Sequence, residues 1–357
     1  MLNFSIGPVQ INKEIRLLAQ KQIPYFRTSE FSIIMKDNER LMKNLTGAED
    51  GARTVFITGS GTASMEASVM NIFSPQDKVI VVNGGSFGQR FAILCKIHNI
   101  PYTEIKLNIG EQLTAQHLDP YQNKNYTGFL VNMHETSTCI LYNMNLISDF
   151  CRKNNLILLV DAISCFLAEP IDMKNMKIDA LIIGSQKALA LAPGLSCIVL
   201  QERLLKRIYN NSIKSLYFDL KIALKDGERG QTPFTPAVGI LLQLNKRLKA
   251  ISETGIYVEY ERVKALSRHF RKKAENLPVK IPFSSISNAA TPICPSNNIS
   301  AYKIYELLKN EYDIFVCPNG GELKDKLFRV GHIGDITEKD NMELITALTD
   351  LARRKIL

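Results

Sequence analysis

Between about residues 54 and 200, short apolar runs that end in Gly, Asn or Asp alternate with longer stretches whose apolar positions recur at helical spacing. The short runs predict strands at 54–57, 78–82, 128–131, 157–160, 180–183 and 197–200. Several are apolar almost throughout, as expected of strands covered on both faces. The patterns at 64–72, 88–98 and 146–154 predict helices between them. Such alternation predicts an α/β domain built on a mainly parallel sheet.

After about Pro236 the texture changes. Helices are predicted at 238–253 and 256–277, and in the second Val263, Leu266, Phe270, Ala274 and Leu277 share one face. A strand near 286–293, a helix at 301–312, strands at 314–316 and 326–330 and a last helix at 338–354 follow. This mixture predicts a smaller α+β domain. The expected division is an N-terminal segment 1–15, a large domain 16–240 and a small domain 241–357, with a ligand cleft between the two domains.

Composition narrows the class. With 45% hydrophobic and 22% charged residues the 357-residue chain is globular, and neither disordered nor collagen-like. No apolar run reaches the length of a spanning helix, and the first residues lack a basic, then apolar, signal-like pattern. The seven cysteines are dispersed in apolar segments with no C-x-x-C pair, so no metal site is predicted and reduced thiols in the cytoplasm are expected. The net charge of +9 is compatible with a polyanion partner or with a small anionic ligand. Ten Lys or Arg against four Glu fall within residues 246–280, mostly opposite the apolar face of the predicted helix, which predicts a solvated basic surface. No helix-turn-helix, zinc or RNA-recognition pattern accompanies it, so neither a nucleic-acid nor a membrane partner is expected.

Three segments carry candidate chemistry. In Ile182-Ile183-Gly184-Ser185-Gln186-Lys187 an apolar strand runs into a single lysine. An amine at a buried strand end is partly desolvated, which favours its neutral, nucleophilic form. In Leu156-Ile157-Leu158-Leu159-Val160-Asp161 a second strand ends in a carboxylate. A lysine for a Schiff base and an acid for a pyridine nitrogen are what pyridoxal phosphate requires of a protein. In Thr54–Ala67 a strand, the turn Gly59-Ser60-Gly61-Thr62 and a helix start can form a phosphate cradle, although the spacing is neither G-x-G-x-x-G nor Walker A. Taken singly, a loop lysine, a turn aspartate and an ordinary strand-to-helix loop would explain the same residues.

The order of these segments, with Asn83-Gly84-Gly85-Ser86-Phe87-Gly88-Gln89-Arg90, Glu135-Thr136-Ser137-Thr138, Val160–Ser164 and Pro193-Gly194-Leu195-Ser196, resembles the class V aminotransferases from Gly7-Pro8 to Gly334. The similarity is to alanine/serine–glyoxylate and 2-aminoethylphosphonate–pyruvate transaminases. It implies the fold-type I architecture, with a seven-stranded sheet, and pyridoxal 5'-phosphate as cofactor. It also implies transfer of an amino group from a small amino acid or aminophosphonate to a 2-oxo acid such as pyruvate or glyoxylate.

Residue by residue, the resemblance assigns the Schiff base to Lys187 and the pyridine nitrogen to Asp161. It assigns ring stacking to Phe87, a hydroxyl near the phenolic oxygen to Thr136, and the phosphate to Ser60, Gly61, Thr62 and Gln186. Thr235 would reach the phosphate from a neighbouring subunit, implying a homodimer with shared sites, and Arg27 would line the partner's site. Arg329 would hold the substrate carboxylate, for which a planar guanidinium is suited. The family pattern His-x-Glu-Thr with a later Gly is altered here: Met133 stands at the His position, His134 follows, and Cys139 replaces the Gly. The same fold hosts cysteine desulfurases, for which Cys294 or Cys317 would have to act as nucleophile.

Overall fold

The computed structural model describes residues 1–296 and 299–357, and among these the organising element is a seven-stranded sheet. Its order in space is Arg53–Thr58, Leu195–Leu200, Ala180–Gly184, Ile157–Asp161, Gly128–Asn132, Val79–Asn83 and Tyr102–Lys106. Leu195–Leu200 runs antiparallel to both neighbours, while the other pairings are parallel.

Alternate residues of the central strands enter two different cores. Ile80, Val82, Phe129, Val131, Leu158, Val160, Leu181 and Ile183 pack on one face. Val79, Val81, Leu130, Leu159, Ala180 and Ile182 pack on the other, against helices Gly61–Ile72, Ser86–Ile97 and Glu202–Asn210. A strand apolar at every position is the outcome of burying both faces with a two-residue period.

A third core holds Leu266, Phe270, Ile293, Ile304, Leu308, Phe328, Leu344 and Leu348. It is covered by the antiparallel strands Val279–Lys280, Ala290–Pro295 and Phe328–Gly331 and by helices Ala301–Tyr312 and Glu338–Arg353. Phe4 belongs to this core, because Leu2–Phe4 pairs in parallel with Ile314–Val316 and so ties the chain start to the C-terminal part. Helix Val238–Thr254 packs on the first core through Leu241, Leu244 and Leu248. The changeover falls inside helix Ile256–Ala274, where Val263 faces the first core and Leu266 the third.

Several expectations shift in detail. The edge strand Tyr102–Lys106 has no counterpart in the sequence reading, because half-exposed edge positions break the apolar pattern. The strand expected near 286–293 is Ala290–Pro295, and Ile286 makes only an isolated bridge to Ile140. The basic stretch is not wholly a solvated surface. Arg247 pairs with Glu259, and Arg271 turns inward to donate to Thr291 Oγ1 and to the carbonyls of Ser287 and Ala290. Among the described residues no helix is long and apolar enough to cross a membrane.

Candidate active site

The carboxyl ends of the parallel strands open onto a cleft of about 220 Å3 lined by Ser60, Gly61, Thr62, Phe87, Arg90, Thr136, Asp161, Ile163, Ser164, Gln186 and Lys187. Open α/β sheets bind ligands at this end, where loops and helix N-termini converge. Eight of the residues singled out from sequence are thus brought together, from five loops or strand ends.

Lys187 stands three residues beyond strand Ala180–Gly184, in a turn closed by Ala190 N–H to Lys187 O (2.8 Å) and Leu191 N–H to Ser185 O (3.0 Å). Val9 N–H bonds to Gln186 O (3.2 Å), bringing the N-terminal segment against this turn. Gly7 adopts φ +138°, and a Cβ built there would lie 2.6 Å from Lys187 Cδ, so only glycine leaves the lysine stem its path. Burial pushes the Lys187 amine below the ordinary lysine range.

Asp161 ends the neighbouring strand and is 6% exposed. One carboxylate oxygen accepts from the Ile163 amide at 2.8 Å. Burial pushes its pKa up to about 6, against the opposing pull of that hydrogen bond and of Lys187. A cation placed at the second oxygen would offset this cost.

Helix Gly61–Ile72 begins at Ser60, whose side chain makes no capping bond; Ala63 N–H bonds to Ser60 O (2.8 Å), and the Gly61 and Thr62 amides are left open to an acceptor. The turn is fixed from the antiparallel strand: Gly59 N–H bonds to Gly194 O (2.9 Å), and Ser196 Oγ donates to Ser60 O (3.1 Å). An uncapped helix start with adjacent hydroxyls suits a phosphate. Arg90 adds a cation, donating to Thr62 Oγ1 (2.9 Å) while its guanidinium lies 5.0 Å from the centre of the Phe87 ring.

On the opposite wall, Thr136 Oγ1 donates to Ser164 Oγ (2.7 Å), which lies 3.0 Å from His134 Nδ1. Burial, with the charge of Lys187 second, pushes His134 down to about 3, so the imidazole is neutral. Met133 is buried in the first core, and Cys139 holds φ 64°, a conformation that favours glycine. Behind Thr136, Arg329 donates through Nη1 to Thr136 O (2.8 Å) and through Nη2 to Pro318 O (2.6 Å). Its Nε is buried without a partner, although the residue is only 8% exposed. A buried donor left open costs about 1–3 kcal/mol and signals a missing acceptor.

Arg329, Arg27 and Thr235 are not among the residues that line this chain's cleft. Arg27 donates to the carbonyls of Thr232 (2.7 Å) and Pro233 (3.2 Å), so it braces the segment that carries the exposed Thr235. That segment lines a separate cavity of about 40 Å3 with Thr58 and Tyr217. Cys294 sits half-buried on strand Ala290–Pro295 with its thiol pushed up by burial, a poor setting for a nucleophilic thiolate. Arg90 and Ser164 line the cleft without having been assigned roles from sequence, although both lie inside the runs that carried the resemblance.

The open helix start, the free Asp161 oxygen and the depressed Lys187 amine form a donor and acceptor set that fits pyridoxal phosphate. Fold and site together define a pyridoxal phosphate-dependent transferase of the α/β type. The chain belongs to the class V aminotransferases, matching that family over residues 24–319. It is 30% identical to an uncharacterized aminotransferase of Helicobacter pylori, over 98% of this chain and 93% of that protein. It is 28% identical to the alanine–glyoxylate aminotransferase of Oryctolagus cuniculus, over 84% of this chain and 79% of that one. In structure it is similar to an aspartate aminotransferase of subgroup IV from Thermus thermophilus, with a TM-score of 0.92, 22% identity and full coverage of both chains. The protein is therefore a transaminase that uses an amino donor and a 2-oxo acid acceptor.

Proposed function

We propose that the enzyme moves the amino group of a small amino acid or aminophosphonate, of the alanine, serine, aspartate or 2-aminoethylphosphonate type, to pyruvate or glyoxylate. The observation that carries this reading is the pair formed by Lys187 and Asp161 at the ends of adjacent strands within one desolvated cleft. The similarity to an alanine–glyoxylate aminotransferase supports the choice of substrates.

Bound pyridoxal phosphate supplies the reactive aldehyde and the electron sink that makes the substrate α-carbon acidic. The chain's own residues do the rest. Ser60, Gly61, Thr62 and Gln186 would hold the phosphate, Phe87 would offer a flat apolar surface to the ring, and Thr136 would supply a hydroxyl to its phenolic oxygen. The free oxygen of Asp161 would keep a proton on the ring nitrogen. Lys187 Nζ, whose charged form burial disfavours, would remove a proton from the donor carbon and return it later. Arg329, held behind Thr136 by two backbone carbonyls and with Nε unpartnered, would bind the substrate carboxylate.

The second half of the proposal is a homodimer with shared sites. Tyr217 is exposed, stacks on Phe234 at 5.4 Å and lines a hollow with the Thr232–Pro236 segment, and its chain neighbour Leu216 is exposed as well. Such a patch supports an interface that would carry Thr235 and Arg27 into the partner's cleft. The seven unpaired cysteines support a reducing, cytoplasmic setting.

A spectral titration tests the reading. The purified protein is expected to take up pyridoxal phosphate with visible absorption, and alanine, serine, aspartate and 2-aminoethylphosphonate are added in turn to find which one bleaches it. A protein that stays colourless defeats the proposed site; bleaching by none of these donors defeats the substrate assignment alone.

A further inference from the structure

Glu135 is completely buried, and its carboxylate is held by four N–H and O–H donors rather than by a cation. Oε2 accepts from the Gly88 amide (3.0 Å) and from Asn132 Nδ2 (2.9 Å), and Oε1 accepts from the Ser137 amide (3.1 Å) and Ser137 Oγ. Asn132 and Ser137 flank Glu135 in its own loop, whereas Gly88 belongs to a distant helix start, so the carboxylate ties that loop to the helix, and each donor adjoins a wall of the cleft.

Gly88 follows Phe87 at the start of helix Ser86–Ile97, where a carboxylate is favoured by the helix dipole. Ser137 follows Thr136, whose hydroxyl meets Ser164 and whose carbonyl anchors Arg329. Asn132 is in register with Asp161 across the parallel pair Gly128–Asn132 and Ile157–Asp161. Close approach depends on Gly85, where a Cβ would lie 2.6 Å from Glu135 Cδ. A charge sunk this deep has a desolvation cost that a polar contact network must offset, and an apolar core would not incur it.

We propose that Glu135 is a positioning residue: it pins the Phe87 wall, the Thr136–Arg329 wall and the Asp161 floor to one point, and so sets the slot into which the cofactor ring fits. It acts through those residues and touches neither cofactor nor substrate.

The inference rests on the cleft holding pyridoxal phosphate, and the test separates the two. Glu135→Gln keeps the side-chain shape but turns an amide NH2 toward donors, while Glu135→Asp keeps the charge and shortens the reach. Cofactor-free wild type, Glu135→Gln and Glu135→Asp are titrated with pyridoxal phosphate, with affinity and the visible circular dichroism of the bound cofactor as readouts. The expected result for Glu135→Gln is a dissociation constant raised about 10–100-fold, the range typical of outer-shell partners, and a weakened dichroic band. Glu135→Asp is expected to lie between the two. If wild type itself binds no cofactor, the reading of the cleft fails. If Glu135→Gln binds with wild-type affinity and dichroism, the positioning role is overturned, and a change in thermal midpoint alone would mark Glu135 as structural. Should Glu135→Gln not fold, Ser137→Ala removes one donor and is expected to shift both readouts in the same direction; unchanged values there overturn the inference as well.

Discussion

Asp161 and Lys187 stand at the carboxyl ends of adjacent parallel strands, and burial moves their proton affinities toward each other. The acid rises to about 6 while the amine falls below the lysine range. Each charge is costly alone in the cleft, and each becomes useful once a ligand supplies what is missing. Lys187→Ala is expected to leave the fold intact, because the side chain is only half-buried, and to lower turnover at least about 10²–10⁴-fold through loss of the acid–base group. Steady-state rates and the visible absorption of the same sample check this, and a coloured, active variant would contradict it.

The raised pKa of Asp161 makes a prediction about the cofactor-free protein. An aspartate at 3.8 in the unfolded chain and about 6 in the folded one binds its proton more tightly when folded. Stability from this group is therefore present below the unfolded value and is lost as pH rises from about 4 to about 6. The loss is on the order of 2–3 kcal/mol and persists at neutral pH. Asp161→Asn should thus raise the thermal midpoint of cofactor-free protein at pH 7, with little effect near pH 4, while lowering activity of the loaded enzyme. Calorimetry at the two pH values decides, and destabilisation at pH 7 would refute the argument.

What the chain disclosed beforehand follows physical lines. The central strands were legible because both faces are buried, so Val79–Asn83 and Ile157–Asp161 read as continuous apolar runs. Helix Ala301–Tyr312 and strand Ile314–Val316 match their expected bounds because Ser300 caps the helix and Asp313, at φ 55°, ends it. The antiparallel direction of Leu195–Leu200 was not legible, since periodicity carries no sense of direction. In the site, strand-end residues such as Asp161 and Lys187 announce themselves. Gly7 against Lys187, and Glu135 under the Gly88 amide, depend on contacts between distant stretches that no local pattern records.

Gly7 tests how tightly the lysine is held. Any side chain there meets Lys187 Cδ and lies 3.1 Å from Gln186 O, at a backbone angle that L-residues rarely adopt. Gly7→Ala is expected to cost about 1–3 kcal/mol of stability from strain and roughly 10²-fold in kcat, since a displacement of about 1 Å at a reacting group has that effect. Kinetics at a temperature well below the melting point separate the two effects.

Arg329 has its guanidinium plane set by Thr136 O and Pro318 O, leaving Nε for a ligand. A lysine would keep the charge and lose the planar fork. Arg329→Lys should lower kcat/KM about 10²-fold or more, mainly through KM for both the amino and the oxo substrate, because a charged hydrogen bond is worth about 1.5–3 kcal/mol. An unchanged KM for both substrates would remove Arg329 from carboxylate binding.

The shared-site dimer can be tested by complementation. Lys187 belongs to one cleft, while Arg27 holds the Thr232–Pro236 segment away from it on the same chain. If that segment completes the partner's cleft, a Lys187→Ala chain still offers an intact Thr235 to its neighbour. A chain carrying Arg27→Ala and Thr235→Ala still offers an intact Lys187. In a mixed dimer one cleft then receives both defects and the other receives none. Co-refolding the two variants should yield heterodimers with about half the wild-type activity, well above either parent alone, whereas clefts built from one chain each would give only the mean of the parents. Activity that never exceeds that mean, in a sample shown by mass to contain heterodimer, would assign Thr235 and Arg27 a role within their own subunit or none in the site.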